Sequence, residues 1–371
     1  MTQDERRAVI GLWGIVGVGT QAIAKIRSVY PDLGVLADEL PRRWLSSVLL
    51  AEPAREGLAA LATSLGLHAE RLIDRALGAK MSVCFPEDPG YPRGLGDVRG
   101  APPMLFYRGR ADRPNGPPRL AMVGSRSFES NFVPAVKALA ADLAAQLVIV
   151  SGAARGIDQL CHDAAIEAKG ETWAFMGSAL DALDYAQAQI AVRIVDSGGT
   201  VFSDFPPGVR AAQNTFPRRN RLISGASDGV LLVRGHGDSG ALITVDYARK
   251  QGRLVMAVPG QIDHQTAHSC NQLIRAGTAR LVACAEDVFV DMGLRETQTE
   301  PAQVGAEAFD LTRLSDNARH AFSILDRTPV DFDSLLGKAD PLNSGLLASA
   351  LMELELAGLL VQKPGRRYER R

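Results

Sequence analysis

From Met81 to Met292 brief apolar runs alternate with helical stretches, and few folds can bury a chain written in that rhythm. The runs are Leu120 to Val123, Leu147 to Val150, Thr172 to Met176, Thr200 to Phe202, Gly229 to Val233 and Leu254 to Val258. They predict an α/β domain with a mainly parallel sheet over residues 79–293. Residues 1–78 are helical in pattern, with Leu58, Leu61 and Leu65 at helical spacing and breaks at Gly17, Gly19, Pro31 and Pro41. A polar stretch rich in Glu, Gln, Thr and Ala, residues 294–312, reads as a linker. Residues 313–371 return to helical periodicity and close on an apolar strand and a Pro-Gly turn.

Length agrees with this division, since 371 residues suggest two or three domains. No run reaches the apolar length of a membrane helix, and Met-Thr-Gln-Asp-Glu-Arg-Arg is not followed by a signal-type core. A cytoplasmic protein without membrane contact is expected. The four cysteines, Cys84, Cys161, Cys270 and Cys284, are too scattered for a metal motif and too few for a disulfide scaffold.

In an open parallel sheet the strand ends share one edge, where ligands bind and helix N-termini aim their free N–H groups. The predicted strands run into Gly124-Ser125-Arg126, Ser151-Gly152, Gly177-Ser178, Ser203-Asp204, Gly235-His236-Gly237 and Pro259-Gly260. Arginine recurs there, as Arg126, Arg155 and the group Arg218, Arg219 and Arg221 in Phe216-Pro-Arg-Arg-Asn-Arg. The net charge of the whole chain is only -1, so this local positive charge points to an anionic ligand. Ser239-Gly240 opens the helix Ala241 to Lys250 and suits either a phosphate or an ordinary N-cap.

The known phosphate loops are missing. After the first strand comes Gly124-Ser-Arg-Ser-Phe-Glu, not Gly-x-Gly-x-x-Gly, and there is no Gly-Lys-Ser/Thr. Asp158 and His162 lie one helical turn apart with no nucleophile placed beside them, so a buttress for the Ser151 to Gly156 loop is the favoured reading. Asp181, Asp184 and Asp204 stand singly among turn residues. No acid/base pair, metal site or cofactor is expected.

Taken in order, Val-Gly-Ser-Arg (123–126), Ser-Gly-x-x-Arg-Gly-Ile-Asp (151–158) with His162, Phe-Pro-x-Arg-Asn-Arg (216–221), Asp-Ser-Gly-Ala-Leu-Ile-Thr (238–244) and Ala-Val-Pro-Gly (257–260) resemble the bacterial DprA/Smf family of DNA-processing proteins. Asp88-Pro-Gly-Tyr-Pro and Pro102-Pro-Met-Leu-Phe-Tyr-Arg-Gly look like the lead-in to that family's Rossmann-like domain. The resemblance implies a non-enzymatic homodimer that binds single-stranded DNA and passes it to the RecA recombinase, as in natural transformation. By motif position, Gly124, Ser125, Arg126, Ser151, Gly152, Arg155, Phe216, Arg218, Asn220, Arg221, Ser239 and Gly240 would form the DNA-binding site. Phe216 has two readings, a platform for a base or a core anchor before a helix.

The flanks fit the same family. Val16-Gly-Val-Gly-Thr20 has the form of a helix-hairpin-helix, and residues 313–371 look like the winged-helix tail of many members. The third helix of that tail carries Glu353 and Glu355, which favours protein contact over duplex DNA, while Lys363, Arg366 and Arg367 leave the wing a backbone-contact role. Departures from the family pattern are Asp204 for glutamate, Arg234 for an acidic residue, and Ser178 and Ser269 for glycines. Arg234 is expected either to add to the field of the binding edge or to pair with an acid such as Asp238. An alternative function is a nucleotide-processing or nucleotide-sensing protein outside transformation, since the same edge would serve it.

Overall fold

The computed structural model describes residues 1–96, 98–110, 116–237, 239–296, 314–325, 329–363 and 367–370. Most of the expected linker, Asp238 and Arg366 lie outside the described residues. The chain divides into two compact units, Met1–Glu296 and Thr297–Arg371.

In the first unit a sheet of nine described strands runs β1 Ser82–Cys84, β2 Leu105–Gly109, β3 Arg119–Gly124, β4 Val148–Ser151, β5 Thr172–Phe175, β6 Thr200–Ser203, β7 Gly229–Arg234, β8 Leu254–Ala257 and β9 Arg280–Leu281. Their spatial order is β1-β2-β6-β5-β4-β3-β7-β8-β9. From β6 to β9 all neighbours are parallel, while β1 and β2 extend one edge antiparallel. Helices cover both faces of the central strands, so β3 to β7 are buried along almost their whole length. That burial explains why they read as unbroken apolar runs in the sequence.

The chain lays β4, β5 and β6 to one side of β3 and then crosses to place β7 on the other side. A crevice therefore opens between the carboxyl ends of β3 and β7, the switch point where open α/β sheets bind ligands. The β3–β7 register slips by one residue between Val123 and Gly124 at this place, a bulge after which Gly124 pairs with Arg234.

The N-terminal helices are not a detached bundle. Ala8, Leu12, Trp13, Ile26, Leu58 and Leu65 share one apolar cluster with Met81, Phe85, Met104, Phe106, Met176 and Leu180. The expected continuous helical spacing through Leu58, Leu61 and Leu65 is broken, because helix Glu52–Ala60 stops at Leu61 and a new one, Leu65–Gly78, starts after the Ser64 cap. In the hairpin between Gln3–Trp13 and Thr20–Val29, Gly17 has φ +83° and a Cβ there would stand 2.5 Å from the Pro53 backbone. Close packing thus accounts for this glycine. No helix among the described residues is long and apolar enough to cross a membrane.

The second unit has helices Asp316–Ile324, Phe332–Leu336 and Ser344–Leu356 and a sheet of β10 Val330–Asp331, β11 Leu360–Lys363 and β12 Arg367–Arg370, in the order β10-β12-β11. This is a winged helix. Glu353 does not face outward as a bare charge, since it accepts hydrogen bonds from the Ser315 N–H (2.8 Å) and hydroxyl (2.6 Å) at the start of the first helix. In the wing Lys363 pairs with Glu369 at 3.7 Å and Arg367 is exposed.

Candidate nucleic-acid interface

At the switch point lies a pocket of about 500 Å³. Seven of the sequence-predicted residues line it: Gly124, Ser125, Arg126, Phe216, Asn220, Ser239 and Gly240. They come from three places far apart in the chain, the end of β3 with the turn after it, the first two turns of helix Thr215–Gly225, and the start of helix Gly240–Lys250 with its cap. Ser125 is anchored by its N–H on the Arg234 carbonyl (2.9 Å), and its own carbonyl accepts the Ile157 N–H (3.3 Å). Gly156, which opens helix Ile157–Glu167, has φ +94°, and a Cβ would meet the Ser125 carbonyl oxygen at 2.5 Å. Only glycine lets these two loops touch.

Ser239 caps its helix by accepting the Ala241 N–H at 3.3 Å. Asn220 joins the two helices that face each other across the pocket, donating to the Gly240 carbonyl and accepting from Arg219 Nε, both at 3.1 Å. At the mouth Arg126 is exposed, with its guanidinium 5.7 Å from the centre of the half-buried Phe216 ring. Arg155 is exposed on the neighbouring loop.

Other predicted contact residues sit differently. Ser151 is fully buried, donating its hydroxyl to the Met122 carbonyl at 2.6 Å, and Gly152 lies behind the pocket wall. The Asp158 carboxylate accepts the N–H groups of Gly152 (3.2 Å) and Ala154 (3.4 Å), so it holds this loop, while His162 turns away to Thr172 at 2.7 Å. The Ser151 hydroxyl and the Gly152 N–H and carbonyl are thus all engaged inside the protein, on Met122, Asp158 and Arg219, and neither residue lines the pocket.

The arginine trio splits three ways. Arg219 is 3% exposed and donates to the carbonyls of Gly152 (2.5 Å) and Phe175. Burial pushes its guanidinium down to about 10 and the Asp158 carboxyl up, each opposed by the other's charge. Arg221, its side chain 13% exposed, spans the Asp204 carboxylate (2.8 Å) and the Gly100 carbonyl (2.5 Å). Arg218 lies 3.4 Å from the same carboxylate with its side chain 43% exposed. Neither Arg218 nor Arg221 lines the pocket; both gather at Asp204, fully buried after β6.

Of the two expectations for Arg234, pairing with an acid is the one met, and the acid is Glu129. Arg234 is buried, donates to the carbonyls of Val233 (2.9 Å) and Pro259 (3.3 Å), lies over the Phe132 ring at 3.3 Å and pairs with Glu129 at 3.7 Å. Its charge is used inside the fold, with Glu129 in turn bonded to His264 at 2.8 Å. Burial pushes the Glu129 carboxyl up, but hydrogen bonds from Thr266 and His264 outweigh this and bring it down to about 2.

Sequence reasoning gave no role to Ser127 and Gln213, which line the pocket, or to Trp13, whose indole N–H donates to the Asp204 carbonyl at 2.6 Å. Ser127 could have been found from its place in the loop of Ser125. Trp13 carries no local signal, being 191 positions away from its partner. Among the described residues no group of three His, Cys, Asp or Glu is arranged to hold a metal ion.

Fold and pocket define a doubly wound α/β protein with a pocket lined by Arg126 and Arg219 at its switch point, and with a winged helix in its second unit. The sequence model of DNA recombination-mediator protein A matches residues 82–293, over half of the chain, and that of the DprA winged helix domain matches 295–366. The chain belongs to the DprA/Smf family. It is 37% identical over 224 residues to DNA processing protein DprA of Streptococcus pneumoniae, covering 59% of this chain and 78% of that one. It is 32% identical over 304 residues to protein Smf of Escherichia coli, covering 76% and 79%. The solved structure of the S. pneumoniae protein superposes with a TM-score of 0.62 at 29% identity, over 78% of this chain and 98% of that one. A structure of DNA processing protein A from Helicobacter pylori, solved for its single-stranded DNA binding mode, has a TM-score of 0.51 at 22% identity and covers 58% and 96%, which speaks to the fold.

Proposed function

We propose that this protein binds single-stranded DNA at the switch-point pocket and acts as a non-catalytic recombination mediator. The observation that carries the reading is the pocket itself: an aromatic ring, Phe216, beside the exposed guanidinium of Arg126, above a rigid floor of buried Arg219 and Asp158. A flat ring offers a stacking platform to any base, and a guanidinium takes a backbone phosphate, which together hold a strand without reading its sequence. Membership of the family supports the mediator role, and the H. pylori relative's single-strand binding supports the ligand. Side chains that would do acid/base work are already committed, Asp158 to backbone N–H groups and His162 to Thr172. Gly124, Ser125, Ser239 and Gly240 would face phosphates, with Arg155 and Arg218 beside the pocket, while Ser151, Gly152, Asn220 and Arg221 hold the site in shape. In this reading the protein is a homodimer that hands the strand to RecA.

Fluorescence anisotropy with single-stranded, duplex and mononucleotide competitors tests the reading. Single strands should compete best, and affinity should fall steeply with salt as arginines release counterions. Replacing Arg126 and Arg155 together by alanine should weaken binding more than about tenfold and leave the fold intact. Unchanged affinity in that variant would remove the pocket from the assignment, and mononucleotide competing as well as a strand would favour nucleotide sensing. Strand-exchange reactions with RecA test the mediator step: absence of stimulation by a dimeric, DNA-binding protein would leave only the binding module.

A further inference from the structure

We propose that the N-terminal helical segment is part of the strand-binding site, because Trp13 positions Arg218 to receive a phosphate. This rests on the single-strand-binding reading above. Arg219 and Arg221 have their donors engaged inside the protein, on backbone carbonyls and on Asp204. Arg218 alone of the three presents its guanidinium outward.

That guanidinium is backed by two rings, lying 4.9 Å from the centre of Phe205 and 5.4 Å from that of Trp13. Trp13 is the last residue of helix Gln3–Trp13, and its indole N–H also fixes the Asp204 carbonyl at 2.6 Å. One side chain from the N-terminal segment thus sets both the turn after β6 and the arginine above it. A guanidinium stacked on aromatic faces keeps its planar fork pre-aimed, so it gives up less rotamer freedom on taking a phosphate. Asp204 does not oppose this. Arg221, at 2.8 Å, already offsets the buried carboxylate, so Arg218 at 3.4 Å can turn to a phosphate without leaving that charge uncompensated. Phe216 and Arg218 stand two positions apart on helix Thr215–Gly225 and leave opposite sides of it, Phe216 toward the pocket and Arg218 toward Trp13, so a strand that meets both crosses the start of this helix.

The test is a double-mutant cycle read by anisotropy of labelled oligo-dT with the full chain. Arg218→Ala should weaken binding about three- to tenfold and reduce the slope of log affinity against log salt by about 0.7, one phosphate contact's worth. Trp13→Leu should weaken it about threefold, Trp13→Phe should restore most of that, and Trp13→Leu with Arg218→Ala should bind no worse than Arg218→Ala alone. If Trp13→Leu does not fold, Trp13→Met fills the same space without a ring and takes its place in the cycle. Additive losses, or full affinity in Arg218→Ala, would overturn the positioning role. Failure of the unaltered protein to bind oligo-dT would instead overturn the function on which it rests.

Discussion

Arg219→Ala separates a residue that builds the pocket from one that serves the ligand. In the folded protein its guanidinium satisfies the Gly152 and Phe175 carbonyls, bonds the Asn220 side chain and faces the buried Asp158. Alanine would leave two buried carbonyls without a donor and a buried carboxylate without its counter-charge. Each buried acceptor left unpaired costs about 1–3 kcal/mol, so a loss of about 3–5 kcal/mol in all is expected. For a unit of this size each kcal/mol lowers Tm by roughly 2 °C, so a drop of about 6–10 °C is expected. All three tryptophans, Trp13, Trp44 and Trp173, lie in the first unit, so their fluorescence follows its unfolding alone. Single-strand affinity should fall only because the floor is disturbed, without the change in salt slope that loss of a phosphate contact brings. A variant with unchanged Tm but a reduced salt slope would refute this reasoning and make Arg219 a ligand residue.

His162 should make stability depend on pH. Burial pushes its imidazole down to about 3, so the folded protein keeps it neutral while the unfolded chain takes up a proton below about 6.5. Its contribution is therefore complete above about pH 6.5 and is lost at about 1.4 kcal/mol per pH unit as the pH falls toward 3. Urea titrations should show His162→Gln with a flatter profile in that window, and an unchanged profile would mean that the ring takes up its proton equally well in the folded and unfolded chain. Arg234→Glu should lose thermal stability by about 3–5 kcal/mol, because it sets a second carboxylate beside Glu129, while the salt slope of DNA binding stays as in the unaltered protein. A changed slope with normal stability would return Arg234 to the binding edge.

The central fold was legible because parallel strands buried on both faces spell continuous apolar runs. Six predicted runs match β3 to β8 to within a residue or two at either end. The short edge strands β1, β2 and β9 were not readable in that way. β9 has only two residues, both exposed, and β2 owes its strand form to antiparallel pairing against β6, as β1 does to antiparallel pairing against β2. Within the site, the loops that converge were visible as small residues following strands. What each arginine does was not, since position along the motif says nothing about depth. Helical geometry held part of the answer: Arg218 and Arg221 are three apart and share a face, and both meet Asp204, whereas Arg219 points to another side and into the floor. The identity of the acid they meet, and the tryptophan behind them, depends on contacts between distant parts of the chain.

The apolar cluster shared by the N-terminal helices and the sheet bears on how this protein can be rearranged in evolution. The family match begins at residue 82, as though a module started there. Yet Met104, Phe106, Met176 and Leu180 are covered on one side by Leu12, Trp13 and their neighbours. An opening that lifts the helices uncovers that side of the sheet at once, so hydrogen exchange in the two parts is coupled through a single cooperative event. Recombination that moved residues 82–293 as a cassette would carry an uncovered apolar face with it. The transferable unit is the helices and the sheet together, and a lineage that discards the helices has to rewrite that face in polar residues or cover it with something else.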